Sequence, residues 1–203
     1  MDSKMIEHFV DDEQNQFWHQ NGQLHREDGP AIIRKDGTQQ WFLNGLVHRT
    51  DGPAKIYPNG TQQWCINGKL HREDGPAIIQ KNGYQEWYQN GKLHREDGPA
   101  VIQKNGTQEW YQNGNRHRTD GPALFWSNGY QTWYIHGKVH RDDGPAIIRQ
   151  DGFQAWCLNG KYHRQNGPAI IFPDGEKQWY SNGERYEPDK FTINTQFSIK
   201  DGF

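Results

Sequence analysis

The sequence predicts an all-β protein, built as an elongated antiparallel meander of 23-residue β-hairpin repeats. Three observations predict this class: a Trp recurs at a fixed interval, turn dipeptides flank each Trp, and Gly or Pro interrupts every stretch that could keep a helical period. The recurrent Trp residues, always 23 positions apart, are Trp18, Trp41, Trp64, Trp87, Trp110, Trp133, Trp156 and Trp179.

Turn and loop elements repeat with the same interval. Seven His-Arg pairs occur between His25 and Arg164, and each is followed by Gly-Pro-Ala. An Asn-Gly begins three residues after each Trp, except where His136 replaces the Asn, and a second Asn-Gly or Asp-Gly begins five residues before each Trp from Trp41 onward. Asn-Gly takes positive φ readily at both turn positions, so we predict two chain reversals in every unit.

One unit from the middle of the chain shows the predicted strands. Residues 84–89 form a short strand between two turns, and residues 92–104 form a long strand kinked at Pro99, which cannot donate to a ladder. Alternation along these strands predicts that Trp87 and the position of Ile79 form a buried stripe along the array. The chief alternative is a parallel β-solenoid with one unit per coil.

The repeat pattern divides the chain into three parts. Residues 1–14 form an N-terminal lead, residues 15–186 form the repeat array, and residues 187–203 form a C-terminal cap that protects the last sheet edge. Cys65 and Cys157 both follow a repeat Trp, at a position that Phe or Tyr occupies elsewhere. We therefore expect small apolar substitutes that are not bonded to each other.

Charge and hydropathy exclude two classes of partner. The chain carries 23 basic and 25 acidic residues, well mixed, so no basic stripe is available to neutralise phosphates and no nucleic acid partner is expected. No run of 18 apolar residues could span a membrane, and the N-terminus lacks the apolar core of a signal peptide. We expect a cytoplasmic protein, in the host cytoplasm if the chain is viral.

The repeated His-Arg-x-Asp clusters contain groups that transfer protons or bind metals. There are six such clusters, and a seventh ends in Asn166. An enzyme needs one asymmetric site, however, and here the same residues recur in nearly every unit. We therefore expect no catalysis, no metal and no cofactor, and predict that His and Arg form ladders between neighbouring copies while the Asp caps its own turn.

The unit Trp-x-x-Asn-Gly-x-x-His-Arg-x-Asp-Gly-Pro-Ala resembles tandem repeats of bacteriophage and giant-virus proteins, and it is similar to a distant variant of the MORN repeat. The resemblance covers residues 15–186, and the His-Arg and Gly-Pro-Ala elements depart from the usual MORN unit. It implies an array of hairpins that acts as a scaffold for contacts. A viral origin implies a phage-encoded inhibitor that docks on a host defence protein.

The predicted function is a non-enzymatic protein-binding repeat scaffold with a host protein as its partner; self-association is left open. The alternative is a carbohydrate-binding or cell-wall-binding array, because aromatic rings stack on sugar faces and amides bond to hydroxyls. The two functions differ in the positions they use. A sugar array should bind through the repeated positions, and a protein inhibitor through the variable ones.

Two variable positions, one after the predicted buried Ile or Phe and one after the second turn, are expected to be exposed. Departures from the pattern concentrate between Arg116 and His136, where Trp126 is out of register with the other Trp residues. We predict that Trp126 centres a contact surface, with Tyr130 and Arg116 nearby. The full set of candidate binding residues is Tyr57, Tyr84, Arg116, Trp126, Tyr130, His136 and Phe153.

Overall fold

The computed structural model describes residues 5–188, which contain strands and turns and no helix. The chain divides after Asn115 into two compact units. The strands up to this boundary are β1 (Glu7–Val10), β2 (Gln16–Gln20), β3 (Gln23–Leu24), β4 (Ile32–Ile33), β5 (Gln39–Gln40), β6 (Phe42–Leu43), β7 (Leu46–Val47), β8 (Lys55–Ile56), β9 (Gln62–Gln63), β10 (Cys65–Ile66), β11 (Lys69–Leu70), β12 (Ile78–Ile79), β13 (Gln85–Glu86), β14 (Tyr88–Gln89), β15 (Lys92–Leu93), β16 (Val101–Ile102), β17 (Gln108–Glu109) and β18 (Tyr111–Gln112), and β19 (Asn115–Arg116) includes the boundary itself. The strands of the second unit are β20 (Leu124–Phe125), β21 (Gln131–Thr132), β22 (Tyr134–Ile135), β23 (Lys138–Val139), β24 (Ile147–Ile148), β25 (Gln154–Ala155), β26 (Cys157–Leu158), β27 (Lys161–Tyr162), β28 (Ile170–Ile171), β29 (Lys177–Ser181) and β30 (Glu184–Tyr186).

Within each unit the strands form antiparallel hairpins that follow one another in chain order. In the third repeat, β12 pairs with β13, β13 pairs also with β16 of the next repeat, and β14 pairs with β15. The same pairing recurs in the second unit, where β24 pairs with β25, β25 with β28, and β26 with β27. The predicted all-β antiparallel hairpin meander is confirmed, and the parallel solenoid is wrong.

The predicted strand over residues 84–89 is interrupted at Trp87. The backbone N–H of Trp87 donates to the carbonyl of Ala100 at 2.8 Å, and its own carbonyl accepts from His94 at 3.0 Å. Since these partners lie on different segments, the ladder changes neighbours at the Trp and the prediction of one continuous strand is wrong. The predicted strand over 92–104 is likewise split into β15 and β16, separated by residues 94–100, which we call the His-Arg loop.

The two turns of a repeat differ in conformation. In the two-residue turn, Asn90 and Gly91 both have positive φ, at 51° and 80°, as predicted for a hairpin turn. In the four-residue turn, residues 80–83, Gly83 has a φ of 91°, and Asn82 is not among the residues with positive φ. There the Asn82 side chain instead accepts the backbone N–H of Tyr84 at 2.9 Å. The prediction of positive φ at both turn positions is therefore wrong for this turn.

The core lies on a different face from the one predicted. The Ala of Gly-Pro-Ala is fully buried in all seven copies, and the position of Ile78 is more buried than that of Ile79, with Val101 at 4% exposure. Ile79 and Trp87 are half-buried. The predicted Trp–Ile79 stripe is therefore wrong, because the face that carries the positions of Tyr84 and Glu86 is the core face, as the burial of Phe153 and Ala155 shows.

The N-terminal lead contributes a strand to the first repeat. β1 pairs antiparallel with β2, and the ring of His8 stacks on Trp18 with centroids 4.4 Å apart. The described part of the lead therefore covers the edge of the first hairpin. Of the predicted C-terminal cap, residues 189–203 lie outside the described residues. Cys65 and Cys157 are free and buried, as predicted.

Candidate binding surface

The His-Arg loop holds its Arg in a fixed sandwich. In the His-Arg loop of residues 94–100, the Arg95 guanidinium lies 4.1 Å from the centroid of the Trp87 ring. Its Nε donates to Asp97 at 2.8 Å, and its Nη1 donates to the Pro99 carbonyl at 3.2 Å. A Cβ on Gly98 would lie 2.9 Å from the Arg95 Cζ. An Ala at this position would therefore require the end of the Arg95 side chain to shift. The same Arg-to-Asp and Arg-to-Pro bonds recur at Arg26, Arg49, Arg72, Arg118 and Arg141.

The Asp of the loop pairs with Arg instead of capping its turn, so that part of the prediction is wrong. Hydrogen bonding and charge from Arg95 hold the pKa of Asp97 below its usual value, and the equivalent Asp residues behave alike. The seventh loop lacks this pair because Asn166 replaces the Asp. There Arg164 lies 3.8 Å from the Trp156 centroid and keeps only the bond to Pro168, and burial lowers the pKa of Arg164.

The His of each loop connects its repeat to the next one within each unit by a hydrogen bond to the turn backbone. The predicted contact of His between copies is therefore found without the predicted stacking, and the Arg stacks on the Trp of its own repeat. Nδ1 of His94 accepts the backbone N–H of Asn113 at 3.2 Å, across 19 residues. An imidazole nitrogen that accepts cannot carry the proton, so the proton lies on Nε2. Equivalent bonds join His25 to Asn44, His48 to Asn67, His71 to Asn90, His117 to His136, His140 to Asn159 and His163 to Asn182.

Tyr57 and Tyr84, two of the candidate binding residues, lie in the first unit and are half-buried. The Tyr84 hydroxyl donates to the Glu86 carboxylate, and burial together with that carboxylate raises the pKa of Tyr84. The same two causes raise the pKa of Tyr88 to about 12. Tyr84 therefore belongs to a polar network inside its own repeat, and the expectation that its position points away from the core is wrong.

Trp126 is the Trp that lies outside the repeated register, and it is 40% exposed. Its ring contacts Tyr130 with centroids 6.4 Å apart, across the four-residue turn of the same hairpin. The backbone N–H of Trp126 donates to the Tyr130 carbonyl at 2.9 Å, which fixes the two residues opposite each other. The predicted proximity of Trp126 and Tyr130 is confirmed.

Arg149, on the next hairpin, extends the Trp126–Tyr130 contact by lying against the Tyr130 ring. The Arg149 guanidinium lies 5.9 Å from the Tyr130 centroid and 4.4 Å from the Phe153 centroid, and Phe153 meets Phe172 edge-on at 5.7 Å. We call Trp126, Tyr130, Arg149, Phe153 and Phe172 the aromatic turn patch. A cavity of 560 Å³ lies within it, lined by Asn128, Tyr130, Arg149, Gln150 and Asp151.

Phe153 supports this patch from below and does not form its surface. It is 8% exposed and packs with Ala155 and Ile170 in the core of the second unit. The expectation of an exposed side chain at this position is wrong for Phe153, as it is for the equivalent Thr38 and Thr107, which are also buried. The reason is that Phe153 alternates with Gln154 and so shares the core face with Ala155.

Arg116 and His136 both make contacts at a two-residue turn. Arg116 lies 5.6 Å from the Tyr134 centroid, and its carbonyl accepts the Gly137 N–H at 2.8 Å. His136 is exposed, has a φ of 48° in the turn, and its ring lies 4.5 Å from that of His117. The Arg116 carbonyl therefore bonds to the two-residue turn, and His136 is part of that turn.

Arg149 and Phe172 are the patch residues that the sequence candidates omitted. Both occupy the position of Trp126 in the following repeats, so the 23-residue interval contains the signal that would have found them. Adjacent hairpins bring equivalent positions side by side, and a residue in the next copy is therefore a neighbour of Trp126 in space.

Three clefts of similar composition lie between successive His-Arg loops. Two are in the first unit, with volumes of 580 and 660 Å³, and one is in the second, with a volume of 710 Å³. Each is lined by one repeat Trp, an apolar residue two positions later, and the Arg and Asp of both loops. The exposed polar groups in these clefts are mainly carboxylates, since Asp51 is 79% exposed and Arg49 is 22% exposed.

No protein-family model and no curated protein matches this chain, so the MORN-like resemblance stays a prediction. Among residues 5–188, no group of three or more His, Cys, Asp and Glu side chains is arranged to hold a metal ion. The same residues include no helix of the length and hydrophobicity needed to cross a membrane.

Proposed function

We propose that this chain is a non-enzymatic protein-binding scaffold and that its partner binds at the aromatic turn patch. The observation that carries the proposal is the exposure of Trp126, 40%, beside Tyr130 at the edge of a hairpin array. The eight Trp residues of the repeat are all half-buried. An exposed Trp outside their register has no equivalent role in the scaffold.

The residue types in the patch support a protein partner. Trp, Tyr and Arg are the residues most enriched among binding hot spots, and the patch exposes one Trp and one Arg around a half-buried Tyr. The buried Phe153 lies against the Arg149 guanidinium and packs on the partly buried Phe172, which connects the surface to the core of the unit. Contact residues anchored in this way lose little conformational freedom when a partner binds.

The absence of catalysis is part of the proposal because the reactive groups of the repeats are engaged in structural contacts. Nδ1 of His94 accepts a backbone N–H, and Asp97 is hydrogen-bonded by Arg95. These contacts recur from repeat to repeat, so no single copy stands out as a reaction centre. The resemblance of the repeat unit to phage and giant-virus repeats supports a host protein as the partner and inhibition of that protein as the outcome.

The experiment compares Trp126→Ala with Gln80→Ala, which alters the equivalent position of the third repeat. Each purified variant serves as bait for a lysate of the host cell, and the affinity for any recovered protein is then measured with purified components. We expect Trp126→Ala to weaken binding at least about tenfold, or about 1.4 kcal/mol, with the thermal midpoint nearly unchanged. Gln80→Ala should bind as the wild type does.

The melt and the affinity together decide the outcome. A collapse of the thermal midpoint in Trp126→Ala would mean that Trp126 supports the core, which contradicts the proposal. Unchanged binding with an unchanged melt would mean that the partner contacts another surface.

A second candidate, binding of a repeating carbohydrate polymer, is favoured by the three clefts between His-Arg loops. Clefts of the same composition at successive repeats match the demands of a polymer whose units recur, and each contains a Trp edge and exposed carboxylates. A glycan array probes this function directly. Glycan retention that survives Trp126→Ala, combined with no recovered protein, would favour the polymer over the protein partner.

A further inference from the structure

We propose that Arg149 binds an Asp or Glu side chain of the protein partner, in the cavity between the two four-residue turns of the aromatic turn patch. This inference rests on the proposed function, because it names the chemical group that the partner presents at the patch. The cavity is an open cleft of 560 Å³, which has room for a carboxylate side chain beside Arg149.

The guanidinium of Arg149 is stacked on rings and has no ion pair within residues 5–188. Its closest ring contact is Phe153, at 4.4 Å from the centroid, and the residue is exposed. Stacking engages the face of the guanidinium and leaves its N–H edge available for hydrogen bonds. That edge matches the two oxygens of a carboxylate in a bidentate pair.

Arg34 occupies the same repeat position and has different surroundings. Hydrogen bonds from Asn15 first, and the charge of Arg34 last, lower the pKa of Asp11; a hydrogen bond from Thr38 and then the charge of Arg34 lower the pKa of Asp36. Arg34 is thus close to two carboxylates, and Thr38 replaces the Phe that stacks on Arg149. Arg34 therefore has two carboxylates in its surroundings, whereas Asp151 is the one carboxylate among the described residues that lines the cavity beside Arg149.

Asp151 is the acidic residue that lines the same cavity. One of its oxygens accepts the N–H of Phe153 at 3.0 Å, so this carboxylate is held in its own turn and forms no ion pair with Arg149. Its charge should weaken the attraction of a partner carboxylate. Because Asn occupies the same turn position in four other repeats, Asp151→Asn keeps the turn bond and removes the charge.

The experiment titrates the full-length, ¹⁵N-labelled protein with the peptide acetyl-Ala-Glu-Ala-amide and follows the Trp126 indole and Arg149 Nε–H resonances. The matched peptide acetyl-Ala-Gln-Ala-amide lacks the charge, and inorganic phosphate serves as the alternative anion. We expect saturable shifts with the Glu peptide and an affinity at least threefold weaker for the Gln peptide. Binding should be lost in Arg149→Gln, unchanged in Arg34→Gln, and two- to threefold tighter in Asp151→Asn.

Three results would overturn the inference. Equal affinity for the Glu and Gln peptides would mean that the carboxylate is not recognised. Weaker binding by Asp151→Asn would mean that the cavity prefers a cation. Tighter binding of phosphate than of the Glu peptide would assign the site to a phosphate group.

Failure of this inference is separable from failure of the proposed function. If Trp126→Ala loses the recovered partner and Arg149→Gln retains it, the protein-binding surface stands and the carboxylate contact is wrong. If neither substitution changes binding of that partner, the surface itself is wrong.

Discussion

The His-Arg loops and the aromatic turn patch both combine Arg with aromatic rings, and they differ in what remains available to a partner. In a His-Arg loop the Arg95 side chain is 22% exposed and contacts a ring, a carboxylate and a carbonyl. In the patch, Arg149 is exposed and contacts rings alone among the described side chains. The comparison teaches that the repeated residues of this chain are engaged in building the scaffold, and that the variable positions are where recognition can differ.

The largest loss of stability among these tests of loop against patch should come from Arg95→Ala. The substitution leaves the Pro99 carbonyl without its donor and uncovers the half-buried Trp87 ring. We expect a loss of about 2 kcal/mol of unfolding free energy, or about 4 to 8 °C in the thermal midpoint. Differential scanning calorimetry measures this shift, and Arg149→Ala is the control, expected within about 0.5 kcal/mol of the wild type. Equal losses in the two variants would remove the distinction between the loops and the patch.

A smaller effect is expected for Gly98→Ala. The new Cβ would lie 2.9 Å from the Arg95 Cζ, so the guanidinium must shift from the Trp87 ring at a cost of about 1 to 2 kcal/mol. In an Arg95→Ala background the guanidinium is absent and the new Cβ meets no clash with it. Gly98→Ala should then be neutral or slightly stabilising, because Ala reduces the conformational entropy of the unfolded chain. The double-mutant cycle measures the coupling. Additive effects would show that Gly98 serves another purpose.

The smallest effect concerns His136, which replaces the Asn of the two-residue turn. Burial and the neighbouring His136 lower the pKa of His117 from its ordinary 6.5. The unfolded chain therefore binds a proton at His117 more readily than the folded chain does. The stability that the neutral His117 contributes is complete above about pH 6.5 and is lost as the pH falls through the lowered pKa of the folded state.

His136→Asn removes the neighbouring charge and should bring the pKa of His117 closer to its ordinary value. The thermal midpoint of the variant should then fall less between pH 7.5 and pH 5.5 than that of the wild type. At neutral pH the free energies of unfolding of the two proteins should differ by about 0.5 kcal/mol or less. Melting curves at the two pH values test this, and NMR titration of His117 gives its pKa directly. An identical pH response in both proteins would contradict the coupling.

The fold was predictable because its signals are local and repeated. The 23-residue interval, the Asn-Gly turns and the Gly-Pro-Ala element are each visible in the sequence, and they predicted an antiparallel hairpin meander correctly. The buried face was not predictable from alternation. The ladder changes neighbours at Trp87, and nothing in the identity of that residue indicates that its N–H and carbonyl bond to separate segments.

The candidate surface was predictable in part for a related reason. Trp126 and Tyr130 were found as departures from the pattern, and they do lie in contact. Phe153 was misjudged because alternation separates two faces without showing which is buried, and the face that it shares with Ala155 is the core face. Arg149 was omitted because an Arg is unremarkable in sequence, and its importance comes from the Phe and Tyr rings that adjacent hairpins bring to it.

The range of the inter-repeat hydrogen bonds has a consequence for folding kinetics. The backbone bonds between neighbouring repeats within each unit join residues no more than 21 positions apart, such as Gly91 and Leu70. The mean separation of these bonded residues is therefore below about a tenth of the chain length, in the range of contact order typical of helical bundles and not of β-sandwiches. Folding should therefore nucleate in any pair of hairpins and propagate along each unit, and opening should start at exposed ends. Hydrogen exchange would then be fastest in terminal hairpins and slowest in internal ones, although every repeat has almost the same sequence.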